Sequence, residues 1–98
     1  MVAPETAPPE IAPDVERRSR LIPRYRVLLH NDDVNEMAYV VRALQKSVPS
    51  LSEKDATAIM LEAHEQGVAT VITCPLELAE LYRDRLQTFK LNSTIERE

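Results

Sequence analysis

Val27-Leu28-Leu29-His30-Asn31-Asp32-Asp33, followed four residues later by Met37, decides how this chain folds. The apolar opening, with Tyr25 before it, is rich in β-formers, and Tyr25 to His30 is predicted as a strand. Helical spacing begins beyond it. Met37, Val40, Val41, Leu44 and Val48 fall at i, i+3, i+4, i+7 and i+11, one apolar stripe. Asn31, Asp32 and Asp33 therefore lie between a strand exit and a helix entry, with Asn35 or Asp33 as the expected cap. A second stretch, Met60-Leu61-Glu62-Ala63-His64-Glu65-Gln66-Gly67, ends a second helix and is expected to meet the first.

Pro49 forbids continuation of the first helix. Ser52-Glu53-Lys54-Asp55 resembles a capping box, with Asp in the place usual for Glu. Ala56, Ile59, Met60 and Ala63 form the expected buried face of the helix that follows. Gly67, the only glycine in the chain, stands where a helix commonly needs a left-handed residue. Val68 to Thr73 is rich in β-branched residues and predicts a strand. Pro75 is expected in the first turn of a third helix, capped by Thr73 or Cys74, with Leu78, Ala79, Tyr82, Leu86 and Phe89 facing inward. Leu91 to Ile95 is expected as a closing strand. The order strand–helix–helix–strand–helix–strand predicts an α+β sandwich, a small three-stranded antiparallel sheet against three helices.

Residues 1–24 differ from the rest. Five of the chain's seven prolines fall there, and its charge is segregated. Glu5, Glu10, Asp14 and Glu16 precede Arg17, Arg18, Arg20 and Arg24. Proline fixes φ and removes a donor, so a flexible, Pro-rich N-terminal extension is expected before a folded core of residues 25–98.

Composition narrows the function. A net charge of −4 gives no electrostatic footprint for nucleic acid. One cysteine excludes an internal disulfide framework and offers no zinc cluster. No apolar run approaches a membrane span, and no signal peptide is visible. A soluble, cytoplasmic protein is expected. Asp32 and Asp33 are adjacent in an extended segment and point to opposite faces, a poor geometry for a catalytic dyad. A single glycine excludes a Gly-rich phosphate loop. Neither a catalytic residue nor a cofactor is expected, and no metal site. Taken singly, the remaining residues admit plainer roles. His64 suits the dipole at a helix C-terminus, Met37 and Met60 suit a core, and Asp32 and Asp33 suit a cap.

Together these residues resemble the ClpS family, the N-end-rule adaptors of Clp proteases. The resemblance rests on Asn31-Asp32-Asp33 with Met37, on Met60-Leu61-x-x-His64-x-x-Gly67, on Leu44-Gln45-Lys46, on Ala56-Thr57 and on Glu77-x-Ala79-Glu80. It implies a binding adaptor and not an enzyme. Asn31, Asp33 and His64, with Asp32 close behind, would hold a substrate's α-amino group. Met37, Val40 and Met60 would line the pocket for a bulky apolar first side chain. Glu77 matches a position facing the N-terminal domain of a ClpA- or ClpC-type ATPase, and the extension matches the arm used in delivery. The implied partners are that ATPase and N-degron peptides, with the adaptor a monomer. The chain departs from the family at Val34, Asn35 and Glu36, at Ala63, at Tyr82 and in a shorter end. Those departures suggest a divergent form of the kind found in photosynthetic lineages. The alternatives are a structural interaction domain without a peptide pocket and a small metal-dependent enzyme.

Overall fold

The computed structural model describes residues 22–98; the expectation for residues 1–21 lies outside them. The elements are β1 (Arg24–His30), α1 (Met37–Ser47), α2 (Glu53–Gln66), β2 (Val68–Pro75), α3 (Leu76–Thr88) and β3 (Ser93–Arg97). This is the expected order, and the sheet is the expected antiparallel one, with β1 between β2 and β3. The closing strand runs two residues further than expected, to Arg97.

Alternation along β1 sets the layers. Val27 and Leu29 are buried, whereas Arg26, Leu28 and His30 on the other face are half-buried. On that outer face Arg26 pairs with Glu96 at 2.9 Å, and the His30 ring shares a 2.8 Å hydrogen bond with Thr94. β2 needs one irregularity to keep its inward set. Ala69 opposes Leu29 and Cys74 opposes Tyr25, an odd separation that a regular strand would put on opposite faces. The register slips between Val27 and Leu28, so that Val71 is the extra residue of a bulge. Both Ala69 and Cys74 are then buried.

α2 packs on β1 and β2, α3 crosses all three strands, and α1 packs on the other two helices. The shared core is aliphatic, with Leu44, Leu86, Val27 and Val48 fully buried, each worth about 1.5–3 kcal/mol. Three local expectations change. Glu36, not Asn35 or Asp33, is the residue before α1, and it makes no side-chain cap. Pro75 closes β2 and precedes α3 as its cap residue, so Leu76 is the first helical residue and neither Thr73 nor Cys74 caps. Leu78 is exposed; only Ala79 and Leu86 of α3 are fully inside. At α2 the glycine end is as expected, and of the expected capping box the Ser52 half forms. Ser52 Oγ accepts the Asp55 N–H at 3.0 Å, and Gly67 ends the helix at φ +91°.

Two local details predict opposite changes in stability. A Cβ on Gly67 would meet nothing within 4 Å, so Gly67→Ala costs only the left-handed backbone energy, about 1–2 kcal/mol. Ser47 is fully buried in α1 and its Oγ has no partner. Ser47→Ala therefore removes a desolvated hydroxyl and raises stability by about 1 kcal/mol. Urea denaturation of both variants reads both signs.

Candidate functional site: a pocket between the β1 exit and the end of α2

The site is built by one backbone contact. Gly67 turns the chain out of α2, its N–H bonded to Ala63 O, and its carbonyl accepts the Asn31 N–H at 2.9 Å. The β1 exit is thereby fastened to the last turn of α2, which carries His64. Asn31 and His64 become neighbours on one rim.

The other wall is fixed from α1. Asp32 Oδ1 accepts the Val34 N–H at 2.7 Å, folding residues 32–35 into an Asx turn. Asn35 Nδ2 donates to Asp32 Oδ2 and also to the carbonyl of Lys90 at 3.2 Å. Tyr39 Oη donates to Phe89 O at 2.8 Å. Both contacts hold the turn after α3, where Lys90 has φ +67° and Leu91 swings back into the core.

Between these walls lies a pocket of about 30 Å³, room for about one water. Asn31, Asp32 and His64 stand at its polar edge with Asn35. Met37, Val40, Met60, Ala63, Leu29 and Leu91 supply the apolar lining. Met60 and Val40 are buried, and Met37 is 46% exposed at the mouth. Six of the residues singled out by sequence thus converge: Asn31, Asp32, His64, Met37, Val40 and Met60. Asp33 does not line the pocket. It lies outside, its Oδ1 3.4 Å from Asn31 Nδ2, so it orients the Asn31 amide. Leu29, His30 and Leu91 also line the pocket, and sequence alone did not single them out. The apolar residue after a positively charged helix end was the available signal for Leu91.

Electrostatically the edge is an acceptor surface. The bond from the Val34 N–H holds the Asp32 carboxyl below the usual carboxylate range, against the opposing effect of burial and with lesser help from Asn35. With its amide nitrogen turned to Asp33, Asn31 leaves its carbonyl oxygen free for a donor. Among the described residues no group of three His, Cys, Asp or Glu side chains is placed to hold a metal. Cys74 is buried at the opposite end of the sheet, beside Tyr25, and burial pushes its thiol up. A thiol so shifted is a poor nucleophile at neutral pH.

Glu77 is exposed in the first turn of α3. That turn follows Pro75, which pairs with Arg24 at the start of β1, whereas the pocket sits at the His30 end. β1 is seven residues long, which separates the two ends by about 20 Å.

A family model described as "ATP-dependent Clp protease adaptor protein ClpS" matches residues 21–94. The chain belongs to the ClpS family. Among its relatives, the ATP-dependent Clp protease adapter protein ClpS of Synechococcus elongatus is 50% identical over 84 residues, covering 86% of this chain and 88% of that protein. The chloroplastic adapter CLPS1 of Chlamydomonas reinhardtii is 47% identical over 96 residues, 98% of this chain and 59% of that longer protein. Cyanobacterial and chloroplast forms are therefore near relatives, as the divergent motif suggested. A solved structure, Agrobacterium tumefaciens ClpS2 bound to L-phenylalaninamide, superposes with a TM-score of 0.73 at 29% identity, covering 79% of this chain and 99% of the other.

The depressed Asp32 carboxyl gives a pH prediction. A folded-state value below the unfolded one contributes stability that is present above the unfolded value and is lost as pH falls through the folded one. The Asx turn should hold at neutral pH and loosen only in acid. Carbon-detected NMR titration of the Asp32 carboxyl should place its midpoint below the ordinary range, and Asn35→Ala should move it upward.

Proposed function

We propose that this ClpS-family chain is an adaptor that captures proteins by a free α-amino group and a bulky apolar first side chain, and delivers them to a Clp ATPase–protease. The observation that carries the reading is the convergence of Asn31, Asp32 and His64 on the edge of an apolar pocket lined by Met37, Val40 and Met60. An α-ammonium offers three donors and a positive charge. A carboxamide oxygen, a carboxylate and an imidazole nitrogen are three acceptors, and only an unsubstituted amino end satisfies them all. The ligand of the Agrobacterium relative, L-phenylalaninamide, has a free α-amine beside a benzyl side chain, the chemistry of a peptide's beginning.

The residues divide the work. Asp32 supplies the charge, and a carboxylate about 4 Å from an ammonium gains roughly 4 kcal/mol at an effective dielectric near 20. Asn31 and His64 accept the remaining protons, with Asp33 keeping the Asn31 amide turned. Met37, Val40, Met60 and Leu91 receive the side chain, worth about 1.5–3 kcal/mol. Association consumes much of that sum, leaving micromolar binding, about −8 kcal/mol, weak enough for release. Glu77, at the opposite end of β1, faces the N-terminal domain of a ClpA- or ClpC-type ATPase, so a monomer can hold substrate and enzyme at once. The setting we propose is the cytoplasm; among the relatives, the Chlamydomonas adapter is chloroplastic. An interaction domain without a pocket has no need of this cavity.

Acetylation is the direct test. A peptide beginning with Leu or Phe should bind with micromolar affinity, and its N-acetylated form at least tenfold more weakly, by fluorescence anisotropy. Equal affinities would defeat the adaptor reading.

The pocket's small volume makes a second prediction. A side chain the size of Leu enters only if the wall moves. Met37 is the mobile part, half-exposed and carried on three rotatable bonds. Met37→Ala should admit Ile- and Val-initiated peptides that the parent rejects, narrowing the Leu-to-Val discrimination about tenfold in competition. An unchanged rank order would make Met37 a packing residue.

A further inference from the structure

One side chain takes part in both walls of the pocket. The half-buried Asn35 carboxamide carries two protons on its nitrogen. Nδ2 donates to Asp32 Oδ2 and to the Lys90 carbonyl, the latter at 3.2 Å. These acceptors belong to different halves of the site. Asp32 stands at the polar edge, and Leu91, the residue after Lys90, is part of the apolar lining.

The end of α3 shows why the Lys90 carbonyl bears on Leu91. The Leu91 N–H bonds to Leu86 O at 3.1 Å and the Lys90 N–H to Gln87 O at 2.9 Å, a Schellman arrangement. Lys90 takes the left-handed position at φ +67°, a conformation that a Cβ disfavours. Tyr39 Oη holds the carbonyl one residue earlier, at Phe89. The peptide group joining Lys90 to Leu91 is thus pinned at both ends, its N–H by Leu86 O and its C=O by Asn35. That plane sets the direction in which Leu91 leaves the turn, and Leu91 is buried there. At the other acceptor, the Val34 N–H holds one oxygen of Asp32. The terminal torsion of an aspartate is soft, so the second bond, from Asn35, is what stops the carboxylate from turning.

We propose that Asn35 is a positioning residue that couples the two halves of recognition. Through one amide nitrogen it holds the Asp32 carboxylate and the Leu91 wall in a fixed relation, so that capture of the ammonium and fit of the first side chain depend on each other. The ligand in this coupling rests on the adaptor reading; the link between Asp32 and Leu91 exists without a ligand.

The link is tested first in the ligand-free protein by methyl NMR. Asp32→Ala should move the Leu91 methyl resonances in the parent, and should move them several-fold less when Asn35→Ala is already present. Equal displacement in both backgrounds, or none in the parent, would overturn the proposal. Binding then separates the two halves, with a Leu-initiated peptide, its des-amino form and an Ala-initiated peptide. The ratio of the first two affinities reads the ammonium, and the ratio of the first to the third reads the side chain. Asn35→Ala should lower both ratios about threefold or more, as expected when residues of one network are uncoupled. Asn35→Leu, which keeps the outline of the carboxamide without its protons, should do the same, so lost volume is not the cause. A general loosening weakens all three peptides alike and leaves the ratios unchanged; that result would overturn the coupling, as would a fall in one ratio alone. If the parent does not bind the Leu peptide, the adaptor reading fails, while the methyl spectra still decide the link.

Discussion

The 2.9 Å bond from the Asn31 N–H to the Gly67 carbonyl is the constraint on which the site depends. Neither residue is near the other in sequence, and neither is well placed without the left-handed turn at Gly67. A helix ending in an ordinary αR residue would continue past His64 and aim its carbonyls along the axis. The turn instead points one carbonyl sideways at the exit of β1. That single contact fixes the distance between the strand that supplies Asn31 and Asp32 and the helix that supplies Met60, Ala63 and His64. The glycine's conformational freedom is therefore converted into the geometry of a binding edge.

The facing wall is held differently. No regular element runs from Asp32 to Glu36, so side chains must fix it. Asp32 folds the segment onto itself through Val34, and Asn35 ties it to Lys90. Each acceptor used in this way is unavailable to a ligand, which explains the division within the pair of aspartates. Asp32 spends lone pairs on the loop but retains a charge at the pocket. Asp33 is displaced outward and acts on Asn31. Asn35 is a departure from the family motif, yet here it joins both halves of the wall.

Most of the architecture was legible because it is periodic. The stripe from Met37 to Val48, the β-branched run after Gly67 and the lone glycine each have one economical reading, whereas the six site residues came from the resemblance to the ClpS family and not from periodicity. The misses share a cause. Periodicity fixes a face but not the phase of one residue within an irregular stretch. Asp33 and Asp32 differ by one position in a loop, and Pro75 by one position at a helix start. The bulge at Val71 breaks strict alternation and leaves no composition signal. Leu78 was expected inside because apolar spacing cannot distinguish a core face from an apolar face awaiting a partner. Leu29 and Leu91 were legible as core but not as lining, since a pocket wall is simply core with a missing neighbour.

That last equivalence bears on selectivity. The pocket and the core share Val40, Met60, Ala63, Leu29 and Leu91, so a wall residue cannot be changed for specificity without a cost in packing. Ala63 shows the compromise, for a larger residue there would narrow the site while filling core volume. The two methionines relax the conflict. Methionine side chains are unbranched and flexible, so they repack readily, and Met37 is half in water while Met60 is buried. The pocket has one flexible wall, Met37, at its mouth. On the proposed adaptor reading, discrimination between first residues depends on how far Met37 must move, so shape and not polarity is the measure of a good substrate.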